Sequence, residues 1–210
     1  MMRKNHRTVK SGVNLPLATW NARLENAWNI MAAVSEDKSK RARALCGKNL
    51  WPEVLDFAQK WHQENPSDHK ALFYLGLGHS GLGQFLQAET AYRRALAIDP
   101  ADPKVWNNLA KILFENLKRP KDAILCIRQM VKLDPANKLA WSNLAVMVGG
   151  LGLHEKALLY ADRAIALDPQ FVEAYLHKAA AARALGKTEL VKEVCDKLAS
   201  IEAEKFQRAR

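Results

Sequence analysis

A six-residue run near the middle of the chain, Trp106-Asn107-Asn108-Leu109-Ala110-Lys111, sets two carboxamides and an ammonium group among apolar residues. A carboxamide both donates and accepts, so carboxamides held at a fixed spacing can hold the backbone of an extended peptide. Lys104 and Lys111 stand two helical turns apart on the Asn108 face. Other chemistry is not called for. Gly76-Leu77-Gly78-His79-Ser80-Gly81 matches the dinucleotide pattern G-x-G-x-x-G. That pattern needs a strand before it and a helix opening after it, whereas here it lies inside a helix. No His-Glu-x-x-His, Cys-x-x-Cys, Walker loop or Gly-x-Ser-x-Gly occurs. His154-Glu155 opens a helix, where Glu155 complements the dipole. The carboxylates are surface acids of amphipathic helices, so no enzyme, cofactor or metal is implied.

Composition narrows the class further. Of 210 residues, 49% are hydrophobic and 26% charged, as expected of an ordered globular chain. No apolar run approaches the ~20 residues of a membrane-spanning helix. Three widely spaced cysteines, Cys46, Cys126 and Cys195, make no disulfide framework and read as packing residues in a reducing, cytoplasmic setting. The start, with Arg3, Lys4, Arg7 and Lys10 and no acid before Glu25, also has the composition of a mitochondrial transit peptide. The net charge of +10 divides unevenly: +4 over residues 1–34, +4 over 103–137 and +2 over 172–210, with the rest balanced. A tail plus one segment is not the continuous basic stripe of a nucleic-acid binder, so nucleic acid is the weaker alternative.

The elements that must position these residues follow from periodicity. Residues 1–15 read as a flexible basic arm. Over 16–34, Leu17, Trp20, Leu24, Ala27/Trp28, Met31 and Val34 recur at helical steps, which predicts an amphipathic helix. It caps the following stack, docks in the chain's own groove, or docks on a second copy of the chain, which would make a self-assembling scaffold. Beyond Ser35 the prolines keep time: Pro66, Pro100, Pro135 and Pro169 are 34, 35 and 34 residues apart, the last three in Asp-Pro pairs. A period of this size means stacked repeats. Within it Leu72, Trp106, Trp141 and Tyr175 correspond; so do Leu75, Leu109 and Leu144, with Lys178 as the departure. Gly76, Ala110, Ala145 and Ala179 supply a small residue directly after. Each unit carries two helical runs divided at Gly83, Gly152 or Gly186. In the 103–137 unit Lys118-Arg119-Pro120 replaces the glycine turn and adds a residue. Asp68, Asp102 and Asn137 are placed to cap first helices. Residues 35–68 form a degenerate first unit, followed by four full ones over 69–102, 103–137, 138–171 and 172–205.

At these positions, over roughly 35–205, the chain resembles the tetratricopeptide repeat (TPR) family. The resemblance implies an all-α, right-handed superhelical solenoid of helix-turn-helix units. It further implies that the first helices line a concave groove whose ligand-facing places here hold Lys70, Phe73, Tyr74 and Leu77, then Lys104, Asn107, Asn108, Lys111 and Phe114. The later units add Leu139, Ser142, Asn143 and Val146, then His177 and Arg183. Asn108 and Asn143, at equivalent places of consecutive units, are similar to the asparagine ladder of the TPR region in O-linked N-acetylglucosamine transferases. The carboxylate clamp of co-chaperone TPRs is not matched, because Glu173 and His177 stand where two cations belong. The implied function is non-catalytic protein binding, as an adaptor, scaffold or chaperone-like assembly factor. Its ligand is an extended segment of a partner, favoured if acidic by Lys70, Lys104, Lys111 and Arg183.

Overall fold

The computed structural model describes residues 17–208. The expected arm 1–15 lies outside the described residues, as do the side chains of Leu17, Trp20, Leu24, Ala27, Trp28 and Met31 from the expected amphipathic stripe. Among the described residues the structure is helix and turn alone. The helices are α1 (Leu17–Gly47), α2 (Trp51–Glu64), α3 (His69–Gly81), α4 (Phe85–Ile98), α5 (Pro103–Glu115), α6 (Pro120–Leu133), α7 (Lys138–Gly150), α8 (His154–Leu167), α9 (Val172–Ala184) and α10 (Thr188–Arg208). The all-α solenoid expected from the 34-residue period is what the chain forms.

The chain divides into two units, residues 1–41 and 42–210. In the first, residues 17–41 are helix throughout, and Val34 is exposed. The helix expected over 16–34 therefore does not stop at Ser35. Residues 36–46 contain no glycine or proline and are rich in Lys, Arg and Ala, all good helix formers, so nothing breaks the helix before Gly47. The opening helix and the first helix of the degenerate unit are one element.

The second unit is a succession of antiparallel hairpins in which each helix packs on its sequence neighbours. Its main core runs from Ala42, Ala58 and Trp61 through Leu72, Tyr92, Leu109, Leu113 and Ile127 to Leu144 and Met147. Smaller clusters continue it around Val148 and Ala182, then around Tyr175, Val194 and Ile201. Leu75, Leu109 and Leu144, the recurring large set, are all buried. Lys178, their departure in the last unit, is mostly covered as well and pairs with Asp162 at 2.8 Å. The thiols do not all behave as packing residues: Cys126 is buried and Cys46 half-buried, but Cys195 is exposed. Its equivalents Tyr92, Ile127 and Ala161 are fully buried. That face of α10 meets no further helix among the described residues.

Local chemistry fixes where each helix starts and stops. The Asp68 carboxylate accepts from the Lys70 N–H at 3.0 Å and Asp102 from that of Lys104 at 2.8 Å. The Asn137 side chain accepts from the Ala140 N–H at 3.1 Å. The Asp-Pro pairs have two jobs. Asp99, Asp134 and Asp168 accept from the backbone N–H two residues on, at 3.0, 3.0 and 2.9 Å, and so shape the turn. The carbonyl of the adjoining proline then accepts from the Trp106 indole at 2.8 Å, the Trp141 indole at 2.9 Å and the Tyr175 hydroxyl at 3.1 Å. An aromatic with a polar tip thus ties α5, α7 and α9 to the loop before each of them.

The turns between paired helices need a left-handed residue. Gly83, Gly152 and Gly186 take it at φ +74°, +77° and +69°. Lys118 takes it at +55° where no glycine is present. The extra residue that follows, Arg119, reaches back to the preceding hairpin. Its guanidinium donates to both carboxylate oxygens of Glu89 at 2.9 Å and to Asp122 at 2.6 Å, while Arg93 meets Glu89 at 2.9 Å. Two of the chain's cations are thereby spent on one nearly buried carboxylate.

Candidate functional site

The first helices α3, α5, α7 and α9 carry the expected ligand-facing residues, and the structure sorts them into two clefts. The first, of about 280 Å³, opens between α3, α5 and α7. Phe73, Met130 and Leu139 wall it, and Lys104, Asn107 and Asn108 supply its polar edge. Pro103 and Asn137 complete it from the helix starts. Five residues expected in a groove from the TPR resemblance, Phe73, Lys104, Asn107, Asn108 and Leu139, are therefore brought together. Met130 comes from a second helix, and a register based on first helices could not place it there.

The second cleft, of about 250 Å³, lies at the far ends of α5 and α7 and against α9. Phe114, Val146 and His177 of the expected set line it, with Ala145, Gly149 and Ala180 as small neighbours. His154 also lines it; the sequence marks that residue only as a helix opener. Burial holds the His177 imidazole below its ordinary pKa, a shift partly opposed by Glu173 one turn earlier. A neutral ring suits a cleft with so few polar neighbours. Here α7 packs directly on α9, a closeness the other first helices do not share.

The asparagines do not stand as two independent rungs. The Asn143 amide donates to the Asn107 carbonyl oxygen at 2.6 Å, joining consecutive repeats. The Asn108 amide donates to the Lys104 carbonyl of its own helix at 2.8 Å. Each carboxamide nitrogen carries two hydrogens, so Asn108 and Asn143 keep one N–H apiece, and the bonds they make fix the direction in which it points. The cross-repeat pair is fifth place to sixth, Asn107 with Asn143, not the sixth-to-sixth pair of Asn108 with Asn143.

Two expected groove residues belong to the core instead. Ser142 is 1% exposed, although its equivalents Phe73 and Asn107 line the first cleft. Tyr74 is 6% exposed, stacked on Trp61 with centroids 5.9 Å apart and edge-on to Phe73 at 5.2 Å. The remaining expected residues line neither cleft. Lys70 and Leu77 are half-buried on α3, Lys111 is exposed on α5, and Arg183 borders a smaller hollow of about 150 Å³ with Thr188 and Val191. No group of metal-ligating side chains occurs among the described residues. No described helix is long and apolar enough to cross a membrane.

Comparison with known proteins agrees with this architecture. Residues 81–116 match a family model described as TPR repeat, and residues 117–170 match one described as tetratricopeptide repeat. No curated protein matches the chain by sequence. Among solved structures, PilW, described as a widely conserved type IV pilus biogenesis factor, is similar with a TM-score of 0.72 at 21% identity, over 81% of this chain and 78% of that one. MamA is similar with a TM-score of 0.70 at 18% identity, over 79% and 96%. YrrB, described as a TPR protein with an unusual peptide-binding site, is similar with a TM-score of 0.62 at 19% identity, over 84% and 93%. The repeats over residues 81–170 are tetratricopeptide repeats, and the fold is the TPR solenoid.

Proposed function

We propose that the chain is a non-catalytic protein-interaction module, an adaptor, scaffold or assembly factor, that holds an extended segment of a partner along the concave side of its repeats. The first cleft carries this reading: apolar walls from Phe73, Met130 and Leu139 face oriented carboxamides and an exposed lysine. An apolar hollow with a few convergent polar groups is what a bound side chain and its backbone need. The peptide-binding site described for YrrB and the biogenesis role described for PilW, on the same fold, are in keeping with it. Three free cysteines fit a reducing compartment such as the cytoplasm. The self-assembly alternative turns on residues 16–34, most of whose side chains lie outside the described set.

Panning a displayed random-peptide library on the full chain tests the proposal. Peptides selected by the wild-type should bind the Asn107→Ala/Asn143→Ala double variant ~1–3 kcal/mol more weakly, with its circular dichroism unchanged. Failure to select any peptide would remove the groove reading. A titration of single-stranded DNA across salt checks the nucleic-acid alternative, which requires a steep loss of affinity with rising salt.

A further inference from the structure

We infer that the bound segment is read at two apolar side chains about five residues apart, one in each cleft, with an acidic residue alongside them. This rests on the groove reading above and specifies its ligand. The second cleft has the build of a side-chain subsite. Phe114 and Val146 wall it, and its floor is kept open by small residues. A Cβ added at Gly150 would lie 2.9 Å from the Phe114 ring, and one added at Gly149 3.5 Å from the Ala157 methyl, so larger residues would fill or distort the hollow.

The spacing follows from helix geometry. Leu139 and Gly149 mark the two clefts along α7, ten residues and so ~15 Å apart at ~1.5 Å per residue. The second cleft is also displaced by one helix, ~9 Å. The diagonal of roughly 17 Å is spanned by about five residues of extended chain at ~3.3 Å each.

Charge completes the specification. The three first helices α3, α5 and α7 contain Lys70, Lys104, Lys111 and Lys138 against one acid, Glu115. Lys138 is paired with Asp168 and lies over the Phe171 ring. Lys70, Lys104 and Lys111 have no acidic partner among the described residues. An acidic side chain on the segment would meet that cationic face without displacing an existing ion pair.

The experiment pans a phage-displayed random dodecapeptide library on the full chain as wild-type, Leu139→Glu and Val146→Glu. Synthetic consensus peptides are then measured by fluorescence anisotropy. The two substituted side chains are 43% and 40% exposed, so the changes sit on the surface, and circular dichroism verifies the fold. Wild-type should select peptides with two apolar residues four to six apart and an Asp or Glu. Each glutamate variant should erase the preference at one anchor only and weaken the consensus peptide by about tenfold or more, the effect of removing a buried anchor. Changing the peptide's acid to its amide should weaken binding about threefold, more at low salt. Selection of peptides with a single anchor, or binding indifferent to Val146→Glu, overturns the two-subsite inference while leaving the groove reading in place. Selection without acidic preference overturns the charge part. Selection of nothing removes the inference together with the groove reading.

Discussion

α3 and α5 occupy the same place in consecutive repeats and solve it in opposite ways. α3 carries Gly76, Gly78 and Gly81, and its neighbours fill what the glycines leave empty. A Cβ at Gly76 would lie 2.3 Å from the Tyr92 ring, one at Gly81 2.1 Å from the Trp51 ring, and one at Gly78 3.2 Å from the Leu55 backbone. Of its two expected aromatics, Tyr74 is drawn inward against Trp61 and Phe73 walls the first cleft. α5 has alanine where α3 has Gly76, anchors itself through the Trp106 indole, and keeps Asn107, Asn108 and Lys111 toward solvent. α3 gives much of its concave side to packing and keeps Phe73 in the first cleft, whereas α5 leaves three polar side chains unpacked. A repeat register says which residues are equivalent; what surrounds them decides which are usable.

Four substitutions test this contrast. The largest effect is expected from Tyr92→Ala, which removes a fully buried ring and should destabilise the fold by ~3–5 kcal/mol in denaturant unfolding. Gly76→Ala alone should lower stability by ~1–3 kcal/mol through the clash with that ring. In the Tyr92→Ala background the sign should reverse, because only the helix-propensity gain of ~1 kcal/mol remains. If the two changes prove additive, the glycine is not there to admit the ring. Lys118→Gly should stabilise by ~0.5–1 kcal/mol by relieving a left-handed lysine, partly offset by greater freedom of the unfolded chain. The glycine turn after α3 has no such gain to offer. Trp106→Phe loses the bond to the Pro100 carbonyl together with part of the indole, so a loss of at least ~0.5–1.5 kcal/mol is expected. A larger loss would mean that α5 is held by indole packing.

The smallest expected effect is on pH. Burial holds the folded His177 pKa below its unfolded value, so below about pH 7 the unfolded chain binds more protons than the folded one. The stability associated with a neutral His177 is fully present above the unfolded pKa and falls as pH drops through it, levelling off below the folded value. His177→Gln should flatten that part of the profile below ~pH 7 in urea melts, His62 contributing a residual slope of the same sign.

The sequence by itself determined the repeat. Prolines at a near-constant period, small residues at fixed places, caps at Asp68, Asp102 and Asn137, and the longer turn at Lys118 are local or periodic signals that survive without coordinates. The resemblance to TPR proteins that this register carries also implied five of the residues that meet in the first cleft. Only the tertiary structure decided the rest. Ser142 and Tyr74 turn inward because neighbouring helices approach on their side. Asn143 bonds Asn107, not Asn108, because side-chain reach between helices depends on their spacing and tilt, which no one-dimensional register contains.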